Sequence, residues 1–110
     1  MIEANIVVGV DAGGSKTRVI VANGNAEVLA EVVGSGAAVI PGNAGYSADL
    51  IATLVRTALD SAEHAGTIPS VLCVGAAGAG REAEQLALQD ALTSLEIADE
   101  VVVETLDATK

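Results

Sequence analysis

Two spacings of apolar residues alternate along the chain, and the switches between them predict seven elements. Asn5 to Val10 is a nearly continuous apolar run that stops at Asp11-Ala12-Gly13-Gly14-Ser15, the pattern of a buried strand entering a tight turn. Thr17 to Ala22 is rich in β-formers, and Asn23-Gly24-Asn25 then supplies residues suited to a two- or three-residue hairpin loop. Glu27 to Val33 continues the meander, and Gly34-Ser35-Gly36 closes it. The spacing then becomes helical. Leu50, Ile51, Leu54, Val55, Ala58, Leu59 and Ala62 form one apolar face, opposite Asp49, Arg56, Asp60 and Glu63. Ser47 is placed to cap this helix, and Gly66 and Pro69 end it. Val71 to Val74 reads as a short buried strand, about Arg81 to Leu95 as a second helix with Leu88, Ala91, Leu92 and Leu95 on one face, and Val101 to Val103 as a last strand. The order βββαβαβ predicts an α/β fold with a mixed sheet, an antiparallel hairpin start and a parallel edge, because crossover helices join parallel strands.

Composition narrows the picture. A chain of 110 residues that is 51% hydrophobic and 18% charged is one domain able to bury a core. With one Tyr and neither Phe nor Trp, that core must be built from Val, Ile, Leu and Ala. Five Lys and Arg against 15 Asp and Glu give a formal charge of −10, which repels nucleic acid and anionic membrane surfaces. The lack of aromatic stacking surfaces argues against nucleic acid as well. No apolar stretch approaches the roughly 20 residues needed to cross a bilayer, and the start of the chain lacks the basic residues of a signal peptide. The expectation is a soluble cytoplasmic protein. A single cysteine excludes an internal disulfide or a thiolate metal cluster, and the run around Cys73 predicts a small buried thiol.

The segment Gly9-Val10-Asp11-Ala12-Gly13-Gly14-Ser15-Lys16-Thr17 carries the candidate chemistry. It approaches a P-loop, but Ser15 puts the spacing off by one and a hairpin follows where a P-loop requires a helix N-terminus. A strand–turn–strand phosphate clamp fits better. Gly13 and Gly14 would let the backbone approach an anion, while the turn's N–H groups and the Ser15 and Thr17 hydroxyls donate to it. Asp11 at the strand end would hold Mg²⁺ through water, bridging nucleotide phosphates. An ordinary hairpin, with Asp11 capping the turn, accounts for the same residues, and the turn alone leaves the two readings open.

Val8 to Thr17, the hairpin, Gly42-Asn43, and Gly75 to Gly80 ahead of a helix resemble, in order and spacing, the N-terminal part of the BadF/BadG/BcrA/BcrD-type ATPase and N-acetylglucosamine kinase family. That family belongs to the actin-like, sugar-kinase superfamily with ribonuclease-H-like folds. The resemblance implies transfer of the ATP γ-phosphoryl group to an amino-sugar hydroxyl. Asp11 would serve the metal, Gly13, Gly14, Ser15, Lys16 and Thr17 the ATP phosphates, and Asn43 and Gly78 the sugar. The family's catalytic carboxylate maps onto Asp107, where Leu106 intervenes between it and Thr105 and so shifts it by one residue. The family's second phosphate loop, adenosine pocket and second domain have no counterpart in these 110 residues. The resemblance thus implies the front part of a kinase, inactive alone.

Three other readings have sequence consequences. A ribonuclease-H-like nuclease requires an acid at the end of the fourth strand, where Gly75-Ala76-Ala77-Gly78 stands, and a surface that tolerates DNA. An ATPase activator of 2-hydroxyacyl-CoA dehydratases uses cluster-ligating cysteines, and Cys73 lies mid-strand without a second. A non-enzymatic domain would instead associate through the sheet face that a later helix would cover, and a second copy could fill that place as a homodimer.

Overall fold

The computed structural model describes residues 5–38, 42–77 and 82–105. The seven elements occur in the predicted order: β1 (Ile6–Ala12), β2 (Lys16–Asn23), β3 (Val28–Ser35), α1 (Ala44–Ser61), β4 (Val71–Ala76), α2 (Glu82–Ser94) and β5 (Glu100–Thr105). They form one five-stranded sheet in the order β3-β2-β1-β4-β5. The β1–β2 and β2–β3 pairs are antiparallel, whereas β1–β4 and β4–β5 are parallel. The antiparallel half needs only tight loops. The parallel half needs α1 and α2 as crossovers, which brings the helix N-termini to the end of the sheet where β1, β4 and β5 finish.

Alternation along the strands puts one side of the sheet against the helices. Val8, Val10 and Ala12 of β1, Thr17, Val19 and Val21 of β2, Leu72, Val74 and Ala76 of β4, and Val101 and Val103 of β5 are all buried. Ile51, Val55, Ala58 and Leu59 of α1 and Leu88 and Leu92 of α2 close over them. Among the described residues the hydrophobic side chains of the core are all aliphatic, with Thr17 and Ser47 buried beside them. On the edge strand β5, Gln85 Nε2 donates to the Val103 carbonyl at 2.7 Å, which occupies a backbone acceptor that would otherwise be free to pair with another chain.

No described helix packs on the other face. Val7, Val71 and Val102 are half-buried there, and Cys73 is exposed. The expectation of a buried thiol is thereby corrected. An apolar run reads as buried only if both faces of the sheet are covered, and β4 is covered on the Leu72 and Val74 side alone.

Two local expectations also change. α1 begins at Ala44 rather than after Ser47, with Asn43 at the cap position making no side-chain cap bond. Ser47 lies in the first turn, 1% exposed, and its Oγ donates to the Ala38 carbonyl at 3.0 Å. The loop between β2 and β3 is longer than two or three residues, and its left-handed residue is Ala26 (φ 64°). Asn23 organises this loop, because its Oδ1 accepts from the N–H groups of Asn25 and Glu27. Among the described residues no helix is long and apolar enough to cross a membrane.

Candidate functional site

The β1–β2 turn lies at the end of the sheet where the parallel strands finish, beside the start of α1. In α/β sheets this edge is where ligands bind, outside the carboxyl ends of the strands. Two hydrogen bonds tie the turn to the helix. Ala38 N–H donates to the Gly13 carbonyl at 3.2 Å, and the Ala38 carbonyl accepts the Ser47 hydroxyl at 3.0 Å. Gly36 packs against the Gly13-Gly14 backbone so closely that a Cβ there would lie 2.5 Å from the Gly14 carbonyl carbon and 2.7 Å from the Gly13 oxygen.

Within the turn, Gly13 N–H is already given to the Lys16 carbonyl at 2.9 Å. The amides of Gly14 and Ser15 make no backbone hydrogen bond among the described residues, and both residues are exposed. A Cβ on Gly14 would meet nothing within 4 Å, so the side-chain position of this residue is open. Neither Gly13 nor Gly14 has a positive φ; what glycine provides at position 14 is access to the backbone. The donor pair that fits an anion is therefore Gly14 and Ser15.

Thr17 requires a correction. It pairs with Ala12 on the helix side of the sheet, is 0% exposed, and its hydroxyl has no partner among the described residues. From that position the hydroxyl does not face the mouth of the turn. An unsatisfied buried hydroxyl costs about 1–3 kcal/mol, so Thr17→Val, which keeps the β-branched shape, is expected to stabilise the fold by about 1 kcal/mol in urea unfolding. A loss of stability would show that the hydroxyl is satisfied after all.

Asp11 occupies the open face, exposed, with no ion pair among the described residues. Its register partner Arg18 pairs instead with Glu31. Lys16 and Arg18, two of the chain's five basic residues, stand on the β2 side of the turn; with Arg18 matched by Glu31, Lys16 is left to offset the carboxylate of Asp11. Asp11 aligns with Gly75 of β4, and Gly75 with Glu104 of β5. The two carboxylates therefore stand on one row, two strand spacings or about 10 Å apart, with a glycine between them. They flank a shallow cavity of about 460 Å³ floored by Gly9, Cys73 and Gly75. Among the described residues no three His, Cys, Asp or Glu side chains converge as a metal cage. A divalent ion here would draw its remaining ligands from water and phosphate oxygens, the usual habit of Mg²⁺.

Asn43 is exposed at the start of α1 with its side chain uncommitted to a cap. Asp107 and Gly78 lie outside the described residues. Glu104 and Ser47 join the site region without having been expected there. For Glu104 the available signal was its two-residue step from Val102 along an alternating strand. A second cavity of about 280 Å³ lies at the opposite end, between Leu59, Ile68, Leu95 and Ile97, with Arg56 and Glu96 also in its lining. It is remote from the turn.

The strand order, the hairpin start and the crossover helices define a mixed α/β sheet of the ribonuclease-H-like fold. A crystal structure from Chromobacterium violaceum, provisionally named an N-acetylglucosamine kinase, superposes with a TM-score of 0.70 at 19% identity over 92% of this chain. Another from Porphyromonas gingivalis, with the same provisional name, gives a TM-score of 0.66 at 22% identity over 90%. At such identities the likeness is one of fold. The chain spans about a third of either protein, 35% and 34% of their lengths. No protein-family model matches the sequence, and no curated protein sequence does.

Proposed function

We propose that this chain forms the phosphate- and sugar-binding front part of an ATP-dependent amino-sugar kinase. The observation that carries the reading is the exposed pair of amides at Gly14 and Ser15 beside the exposed carboxylate of Asp11, all three without a hydrogen-bond or ion-pair partner among the described residues, at the end of the sheet where the parallel strands finish. Support comes from the fold shared with proteins provisionally named N-acetylglucosamine kinases.

Gly14 and Ser15 N–H donate to ATP phosphate oxygens, with Lys16 adding positive charge at the same turn. Asp11 would hold Mg²⁺, which would supply neutralisation of charge on the phosphates. Asn43 hydrogen-bonds the sugar, and Gly78 borders it. Phosphoryl transfer forms a bond between the sugar hydroxyl oxygen and the γ-phosphorus and breaks the bond from that phosphorus to the β–γ bridging oxygen. ADP leaves, and Asp107 accepts the hydroxyl proton. Because a net charge of −10 repels nucleotides at long range, binding must rest on these local groups.

Calorimetric titration with ATP, with and without Mg²⁺, tests the reading. Binding is expected to require the ion, and Asp11→Asn is expected to weaken it at least about tenfold, which corresponds to about 1.4 kcal/mol. Binding that is indifferent to both Mg²⁺ and Asp11→Asn, or no binding at millimolar nucleotide, would overturn it.

A further inference from the structure

We propose that Tyr46 is the surface on which the sugar ring stacks, an assignment that rests on the kinase reading above. Tyr46 is the chain's one aromatic residue, and the aliphatic core makes no use of it. It is 58% exposed, and its phenol forms no hydrogen bond among the described residues. Burial therefore gives no account of why a large ring stands at this position.

Its place in α1 supplies one. Tyr46 lies in the first turn, three residues after Asn43. Side chains on a helix lean toward the N-terminus, which directs a first-turn residue toward the segment around Gly42 and Asn43 rather than toward the next turn of the helix. Gly45 stands between them without a side chain, and a Cβ there would meet nothing within 4 Å. The neighbouring residue Ser47 is anchored through Ala38 to the Gly13 carbonyl, which fixes the rotation of this first turn relative to the phosphate turn.

A pyranose has hydroxyl and amide groups around its edge and apolar C–H bonds on its faces. Asn43, with donor and acceptor on one amide, suits the edge. A tyrosine ring suits the face, since it offers a flat apolar area with a polar tip and immobilises few torsions on binding. The ligand class is a neutral amino sugar, and Tyr46 is a specificity residue for rings that present a C–H face.

The protein contains no Trp and one Tyr, so its ultraviolet emission reports Tyr46 alone. N-acetylglucosamine is titrated into the full chain while emission and heat are followed in parallel. A saturable emission change with the calorimetric Kd is expected. Tyr46→Ala should raise that Kd about tenfold and Tyr46→Phe less than about twofold, with helical circular dichroism and Mg-ATP affinity unchanged in both. Heat of sugar binding with flat emission and an unaltered Kd in Tyr46→Ala would overturn the role of Tyr46 and leave the kinase reading standing. Absence of sugar binding in a chain that still binds Mg-ATP would overturn both this role and the sugar half of that reading.

Discussion

Leu72→Ala is expected to remove about 3 kcal/mol of folding stability. Leu72 is 0% exposed on β4, which is flanked by β1 and β5, and it points to the helix side of the sheet. Truncation deletes three carbons from a core of Val, Ile, Leu and Ala, where no broad ring can swing into the space. The strands beside it are held by ladder hydrogen bonds and cannot move in to fill the gap, so most of the cavity remains. A loss of that size lowers the melting temperature of a domain this small by roughly 12–24 °C. Urea unfolding followed by circular dichroism measures it. Leu72→Met, close in volume, should cost less than about 1.5 kcal/mol. An alanine variant that loses under 1 kcal/mol would show that the core relaxes around the site.

The second large effect is expected from Gly36→Ala, and it falls on function as much as on stability. The added methyl would overlap the Gly13-Gly14 backbone, 2.5 Å from the Gly14 carbonyl carbon. Backbone cannot rotate aside as a flexible side chain can, and Gly13 is held on both sides, by its N–H to Lys16 and by its carbonyl to Ala38 N–H. The turn must therefore move as a unit, at a cost of about 1–3 kcal/mol. Because the Gly14 and Ser15 amides move with it, nucleotide affinity should fall at least about tenfold, while circular dichroism keeps its helical signal. Gly24→Ala is the control. A Cβ there meets the Asn5 side chain at an ordinary 3.5 Å, so stability should change by less than about 1 kcal/mol. Wild-type stability and nucleotide affinity in Gly36→Ala would show that the turn tolerates displacement.

Every element was legible in the sequence, because each depends on a pattern that local residues set: a continuous apolar run in β1, β-forming residues in β2, helical spacing from Leu50 to Ala62. What was not legible depends on distant partners. Ser47 has the chemistry of a cap, yet its hydroxyl is taken inward by the Ala38 carbonyl and the helix starts earlier. Cys73 has the neighbours of a core residue, yet the face it occupies has no described helix over it. In the site, Asp11 and the glycine turn could be found from the order of residues at a strand end. The alignment of Asp11 with Gly75 and Glu104 could not, since parallel register joins residues up to 93 positions apart through two crossovers. The inward position of Thr17 was within reach. Strand alternation already sets it opposite Lys16 and Arg18, and the attraction of a hydroxyl next to a glycine turn obscured that simpler rule.

The exposed thiol of Cys73 on the cavity floor gives the molecule a chemical reporter of its own. It is the chain's sole cysteine, it adjoins Gly9 across the β1–β4 ladder, and it shares the cavity with Asp11. Whatever comes to lie over that face of the sheet, whether a nucleotide reaching past Asp11, a further segment of polypeptide or a second copy, must slow alkylation at this sulfur. The rate of a single covalent labelling reaction thus becomes a measure of how open the uncovered side of the sheet stands in solution.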